Sequence, residues 1–259
     1  MVKRAAPRLL QVSQAWHLTP HMIRVTFAGP ALEGMPEGRE GANCKLLLPD
    51  PRETLTDFGA RLVAGTVTLR RTYTVRSFRA NKREMDIDFV DHGDGGPASA
   101  WARAARPGSF LGFSGPGPVK VQSFHADSYL LAADMSALPV VGATLEAMPR
   151  DASGLALLEI TSAEDKQEIA APAGIEMRWL IHPHAHRASS AQIDAVRQMP
   201  WPDGRIQTCI AGEHGAVRDL RSFLLGEKRL DRADAYISGY WKIGLVEDEH
   251  QALKRAEPA

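Results

Sequence analysis

The 259-residue sequence predicts two parts: an antiparallel β-barrel, then an α/β domain built on a doubly wound parallel sheet. Two observations carry this. Up to about Val121 the chain consists of short β-branched or alternating runs stopped by Gly and Pro, the pattern of a closed antiparallel barrel. From Ser128 onward, apolar strand-like runs alternate with helix-like ones, which implies parallel βαβ units.

In the first part, HMIRVTFAG (His21 to Gly29) alternates and ends in Gly-Pro, and NCKLLLP (Asn43 to Pro49) is a short apolar run stopped by proline. GTVTLRRTYTVRSF is long and rich in β-branched residues, and EMDIDFV (Glu84 to Val90) alternates. GPASAWARAA (Gly96 to Ala105) is the one good helix here, with Pro97 in the first turn and alanines to propagate it.

In the second part, the strand SYLLAAD (Ser128 to Asp134) runs into the helix-like MSALPVVGATLEAMP. GLALLEI and EMRWLIHP are further strands, followed by helix SAQIDAVRQM, strand RIQTCIAGE, helix GAVRDLRSFLLGE and strand DAYISGYWK. The predicted boundaries are 1–122 for the barrel, 123–243 for the α/β domain and 244–259 for a helical tail. No internal repeat or low-complexity tract occurs.

Lys plus Arg equals Asp plus Glu, 31 of each, so nothing in the charge balance points to nucleic acid or a membrane surface as partner. No apolar run approaches the roughly 18 residues of a membrane span, and the start MVKRAAPRLLQV is too briefly apolar for a secretory signal. A soluble, cytoplasmic monomer is expected. The two cysteines, Cys44 and Cys209, form no CxxC, which suits a reducing compartment and leaves redox chemistry to an organic cofactor or another metal.

A barrel joined to a dinucleotide-type domain suits a flavin enzyme that takes hydride from a nicotinamide. In RRTYTVR, Arg71 can neutralise a pyrophosphate, Tyr73 can lie against a ring and the Thr74 hydroxyl can bond a ring nitrogen or a ribose. The same pattern also describes a half-buried edge strand with a snorkelling arginine. DFVDHGDGGPASAWA passes from strand through glycines 93, 95 and 96 into a helix whose N-terminus, with Ser99, makes an anion site; an ordinary glycine loop is the alternative.

LLAADMSALPVV has the strand-turn-helix layout of a first nucleotide-binding crossover without GxGxxG. Asp134 and Ser136 there are a helix cap or line a ligand at the strand's carboxyl end. IHPHAHR sets His182, His184 and His186 at period two. No acidic motif accompanies them and Pro183 interrupts the strand, so a polar loop near the nicotinamide site, with Arg187 near a phosphate, is expected and no metal is. In ISGYWKIG (Ile237 to Gly244), Trp241 can cover the flavin and Lys242 can face an anionic substrate; core aromatics are the plainer account.

Taken in order, LTPHMIRVTFAGPAL, CKLLLP, RRTYTVR, DFVDHGDGGPASAWA, GPGP, AADMSALPVV, AGEHGAVRDLR and SGYWKIG resemble the siderophore-interacting protein family. These are flavin-dependent ferric-siderophore reductases of the ferredoxin-reductase-like superfamily. The resemblance implies FAD held by Arg71, Tyr73 and Thr74, by Asp88, Val90 and His92, and by Gly96, Pro97, Ala98 and Ser99 at the diphosphate, with Trp101 close by. It places Asp134, Ser136, Ala137, Leu138 and Glu213 around NADPH or NADH.

It further implies Lys45, Lys120 and Lys242 as a basic set that attracts a ferric siderophore or another anionic ferric chelate. The family's GYW is commonly followed by arginine; Lys242 keeps the charge without the bidentate fork. The flavin carries the redox chemistry, so no catalytic side chain is expected. Ferredoxin as donor, another acceptor on the same scaffold, and a non-catalytic ferric-siderophore binder are the rival expectations.

Overall fold

A computed structural model describes residues 6–93 and 96–245, so Asp94, Gly95 and nearly all of the expected tail lie outside the described residues. The chain divides into two compact units, Met1–Val119 and Lys120–Ala259.

The first unit holds strands β1 (Arg8–Thr19), β2 (Met22–Ala28), β3 (Asn43–Leu47), β4 (Arg70–Thr74), β5 (Ser77–Arg79), β6 (Glu84–Val90) and β7 (Phe110–Ser114). They pair antiparallel in the order β4-β3-β7-β1-β2-β6-β5. The two edges of that order, β4 and β5, are consecutive in the chain. Val75 still donates its N–H to Ala42 beside β3 at 2.9 Å, and Arg76 already donates to Asp86 of β6 at 2.9 Å. One bent run, Arg70 to Arg79, therefore closes the sheet on itself by changing partners at Val75–Arg76. Counted as one strand, it makes the barrel six-stranded.

Phe27, Phe89, Phe113, Leu10, Leu46, Ile87 and Leu111 fill the barrel at 0–1% exposure. Each such side chain contributes about 1.5–3 kcal/mol by leaving water. Their alternation with polar residues is what made most strands legible. β1 was not singled out, because most of its residues beyond Leu10 and Val12 are exposed or half-buried.

The unit has two α-helices among its described residues, α1 (Leu55–Ala64) and α2 (Pro97–Ala104), where the sequence suggested one. The Thr54 side chain caps α1 through the Asp57 N–H, and Gly65 ends it at φ 69°. Phe58 and Leu62 seat it on Leu9, Leu47 and Phe110, while Val63 is 92% exposed. That outward valine blurs the apolar stripe.

The second unit holds β8 (Ser128–Ala133), α3 (Leu138–Ala147), β9 (Ser153–Ile160), β10 (Gly174–Ile181), α4 (Ala191–Gln198), β11 (Ile206–Glu213), α5 (His214–Arg221) and β12 (Ala235–Trp241). All four strand pairings are parallel, in the order β10-β9-β8-β11-β12. The chain leaves β8 toward one edge and returns beside it as β11, so the order reverses between these strands and a crevice opens at their carboxyl ends. α3 starts at Leu138, because Met135–Ala137 form the turn before it. α5 runs into a π-type turn over Ser222–Glu227. Leu130, Ala132, Leu157, Ile210, Val217 and Leu220 form the core on one face of the sheet.

Candidate functional site

In the first unit the expected cofactor residues lie on β4, β6 and α2. Tyr73 packs on the barrel core, its ring 4.5 Å from Phe89, and the Trp101 ring of α2 lies 5.7 Å from the same Phe89. Phe89 thus brings the RxYT strand and α2 together. Arg71 is half-buried and donates to its neighbour's carbonyl, Arg70 O, at 2.9 Å. Thr74 is 5% exposed, and Thr72 on the same side receives a hydrogen bond from the Lys45 ammonium.

At the start of α2, Gly96 is the N-cap and no side chain caps the helix. A Cβ at Gly96 would lie 2.8 Å from the His92 ring, so a larger residue there would displace that exposed side chain. Ser99 is buried and turns its hydroxyl toward Asp91 (3.4 Å) rather than outward, which leaves the backbone N–H groups as the donors here. A guanidinium, an uncapped helix N-terminus and a half-buried phenol ring are a donor set that fits FAD: charge and N–H groups for the diphosphate, an aromatic face for the ring system.

Two carboxylates near this site are engaged within the protein. Asp88 is held bidentately by Arg24 at 2.7 Å on both oxygens, a cross-strand pair from β2 to β6, so its carboxylate is already committed within the protein. Val90 is half-buried and His92 exposed. Asp91, which sequence reasoning passed over, accepts from Arg103 at 2.9 Å, His17 at 3.2 Å, and Ser99 and the Gly93 N–H at 3.4 Å. It fixes the glycine loop to α2. An Asp two residues before a glycine at a strand's end was the available signal.

In the second unit the carboxyl ends of β8, β11 and β12 converge on Asp134. Its Oδ1 accepts from the Ser136 hydroxyl (2.6 Å), the Ser136 N–H (2.9 Å) and the Ala137 N–H (3.3 Å). Its Oδ2 accepts from the Trp241 indole N–H (2.7 Å) and the Glu213 N–H (2.8 Å). Asp134 therefore caps the turn into α3 and also ties three strand ends together. Burial lifts its carboxyl above the ordinary range, against hydrogen bonds that favour the charged form. Gly212 permits this convergence: its φ is 145°, and a Cβ there would lie 2.8 Å from the Asp134 carboxyl.

Glu213 caps α5 through the Gly215 and Ala216 N–H groups at 2.5 and 3.0 Å and reaches the Ile243 N–H at 3.3 Å. Leu138 is buried at the start of α3. Trp241, read from sequence as a flavin cover, has its N–H engaged by Asp134. Lys120 lies over the Tyr236 ring at 6.0 Å, and Lys242 is half-buried. Lys45 belongs to the first unit and the other two lysines to the second.

Glu159, near the end of β9, accepts from the Ser189 hydroxyl at 2.6 Å; burial and the nearby charges of Asp134 and Glu213 raise its pKa. It too was missed, because its neighbours come from separate strands. Cys44 and Cys209 are both free and buried, which pushes the Cys209 thiol up to about 12 and the Cys44 thiol higher still. Among the described residues no group of His, Cys, Asp and Glu is arranged to hold a metal ion.

An antiparallel barrel with an RxYT strand and an uncapped glycine helix start, followed by a five-stranded parallel sheet with a carboxylate-lined switch point, defines a two-domain flavoprotein reductase fold. The ferredoxin reductase of carbazole 1,9a-dioxygenase shares that fold, with a TM-score of 0.66 at 14% identity over 92% of this chain and 67% of that one.

The comparison narrows further along the sequence. Residues 11–120 match the siderophore-interacting FAD-binding domain and residues 126–244 the siderophore-interacting protein model. Ferric vibriobactin reductase ViuB of Vibrio cholerae is 35% identical over 256 residues, covering 96% of this chain and 94% of the relative. The siderophore-interacting protein SipS of Aeromonas hydrophila superposes with a TM-score of 0.82 at 33% identity, over 97% of both chains. The chain belongs to the siderophore-interacting protein family.

Proposed function

We propose that the protein is a flavin-dependent ferric-siderophore reductase that releases iron in the cytoplasm. One observation carries the reading: similarity to a ferric vibriobactin reductase runs through both units, and the donor set for FAD is in place on β4 and α2. Bound FAD supplies the conversion of a two-electron hydride from NADPH or NADH into single electrons for Fe(III).

The chain's residues bind and orient. Arg71 and the backbone of Gly96, Pro97, Ala98 and Ser99 hold the diphosphate. Tyr73, Thr74 and Trp101, with Val90 and His92, line the ring and ribose, while Asp88 acts through Arg24 to keep β6 in place. Asp134 fixes Ser136, Ala137 and Glu213 at the crevice where the pyridine nucleotide docks, with Leu138 packed behind. Lys45, Lys120 and Lys242 raise the encounter rate of an anionic ferric chelate in a salt-dependent way. Hard oxygen donors hold Fe(II) far less well than Fe(III), so ligand exchange follows reduction. Two free buried cysteines suit a reducing compartment, and the chain acts as a monomer.

An anaerobic titration of the FAD-loaded protein tests this. Bleaching of the flavin by NADPH or NADH, followed by recovery of the oxidised spectrum with trapped Fe(II) on adding a ferric tris-catecholate, is the expected result. No flavin uptake removes the reading altogether. A flavin that only reduced ferredoxin bleaches transfers the role to a ferredoxin-dependent enzyme.

A further inference from the structure

One side chain outside the expected donor set joins the parts that present it. Asp91 follows the last residue of β6, and its N–H donates to His21 O in the turn between β1 and β2 (2.9 Å), so its backbone is fixed to the barrel. Its carboxylate then reaches in two directions. Back on β1 it meets the His17 imidazole (3.2 Å), and forward it meets the Gly93 N–H (3.4 Å), the Ser99 hydroxyl (3.4 Å) and the Arg103 guanidinium (2.9 Å).

The geometry of α2 gives these contacts their meaning. Ala98, Trp101 and Ala102 form the face that packs on the barrel core, and Ser99 and Arg103, one helical turn apart, form the adjoining row. Apolar packing is non-directional, so by itself it leaves a short helix able to slide or to turn about its axis. The row that meets Asp91 is directional. One carboxylate takes a hydroxyl from the first turn and a guanidinium from the last, which sets both the rotation and the height of the helix. Because no side chain caps α2, the aim of its first N–H groups follows from the placement of the helix as a whole. Those N–H groups are the ones read above as donors to the FAD diphosphate.

Charge at this point is balanced. Burial alone would raise the Asp91 carboxyl, but the His17 and Gly93 hydrogen bonds and the Arg103 charge hold it below the ordinary range, so it stays ionised at neutral pH. Arg103 lies on one oxygen and the His17 ring on the other. A diphosphate at the start of α2 therefore faces a carboxylate whose charge is already matched.

We propose that Asp91 is a positioning residue for the flavin cofactor: through Ser99, Arg103 and Gly93 it holds the start of α2 in the orientation that grips the diphosphate, and so sets the affinity for FAD. The proposal rests on the reading that FAD binds at β4 and α2.

Phosphorus NMR of the FAD-loaded full chain reads the diphosphate, and visible absorption of the same sample reads the ring. Asp91→Ala should weaken FAD about tenfold in a fluorescence titration, the size of one charge-assisted contact. At saturating FAD it should move the phosphorus resonances toward those of free FAD, while the flavin band keeps its wild-type position. Asp91→Asn keeps an acceptor oxygen for Gly93 and Ser99 and gives up the charge facing Arg103, so it should fall between wild type and Asp91→Ala in both affinity and phosphorus shift. Adding Arg103→Met to Asp91→Ala should weaken FAD by no more than about twofold further, because the two residues act as one. Wild-type affinity and phosphorus resonances in Asp91→Ala overturn the proposal, and so does a flavin band displaced along with them, which would place the effect in the barrel at large. If Asp91→Ala does not fold, Asp91→Asn decides, and wild-type values there overturn the proposal. A wild-type chain that takes up FAD with its phosphorus resonances at their free values overturns the proposal and leaves the flavin reading standing; one that takes up no FAD removes that reading too.

Discussion

The carboxylates of the barrel and those at the carboxyl ends of the parallel sheet are held in opposite ways, while Asp234, at the other end of that sheet, pairs with Arg205 as the barrel's do. In the barrel each is matched to an arginine: Asp88 to Arg24, Asp86 to Arg79 and Asp91 to Arg103, all within 2.7–2.9 Å. In the parallel-sheet unit, Asp134 and Glu159 are held by neutral donors, namely hydroxyls, backbone N–H groups and an indole. The titration directions follow. Asp86 and Asp91 lie below the ordinary carboxylate value and Asp134 and Glu159 above it. Cationic pairs tie neighbouring elements of the barrel together, whereas neutral donors do so at the carboxyl ends of the parallel sheet.

The largest expected effect is at Asp134. Asp134→Ala strips an acceptor from five donors at once, among them the Trp241 indole and the Glu213 N–H. At about 1–3 kcal/mol for each donor left buried and unpaired, partly relieved by water, a loss of about 4 kcal/mol is expected in urea unfolding of the full chain. A loss under about 1 kcal/mol would show that solvent reaches these donors freely and that the convergence of strand ends does not depend on this carboxylate.

Next comes Asp88→Ala, which takes a bidentate carboxylate from the half-buried Arg24 and should cost about 3 kcal/mol. The comparison sharpens in the double variant. Replacing Arg24 by Met as well removes the charge that Asp88 balanced, so most of the loss should return. Additive losses would mean that Asp88 and Arg24 act separately.

Acid titration separates the two classes by sign. Burial alone would raise Asp86, but hydrogen bonds from Arg79, Ser77 and Thr26 outweigh it. A depressed folded value contributes stability that is present above the unfolded pKa of about 3.9 and is lost as pH falls through the folded value below it. The stability gap between wild type and Asp86→Asn should therefore be full at pH 6, about 1–2 kcal/mol, and close toward pH 3. Glu159 runs the other way: a raised folded value makes its contribution best in acid and lost as pH rises from about 4.3 through the folded value. Glu159→Gln should gain on wild type over that rise. Parallel curves for all three proteins would dissolve the distinction.

Apart from β1 and α1, strand and helix order was legible because it rests on local periodicity: alternation in β2 and β6, a continuous apolar run in β8. The RxYT run was legible as a strand, but its bend at Val75–Arg76 was not, since only sheet closure, which pairs one end of the run with β3 and the other with β6, demands it. α1 hid behind Val63, although Thr54 and Gly65 marked its ends. The site was legible only in pieces. Asp134 and Trp241 stand 107 residues apart and Glu159 and Ser189 stand 30 apart, and no spacing rule brings them together. Asp88 shows the converse: a motif residue whose cross-strand neighbour, Arg24, commits it elsewhere.

The smallest effect tests whether the neutral donors around Asp134 act as a set. Trp241→Phe keeps the ring's bulk and removes one N–H, leaving the carboxylate four donors. Because no buried group is stranded without any partner, the cost should be about 0.5–1.5 kcal/mol, well below that of Asp134→Ala. The indole bond is one of those that hold the Asp134 pKa down against burial, so its loss should raise that pKa further. Carboxyl chemical shifts followed against pH would show the midpoint of Asp134 moving up in the variant. A midpoint that stays put, with stability unchanged, would mean the indole contact is incidental and that backbone N–H groups alone shape this end of the sheet.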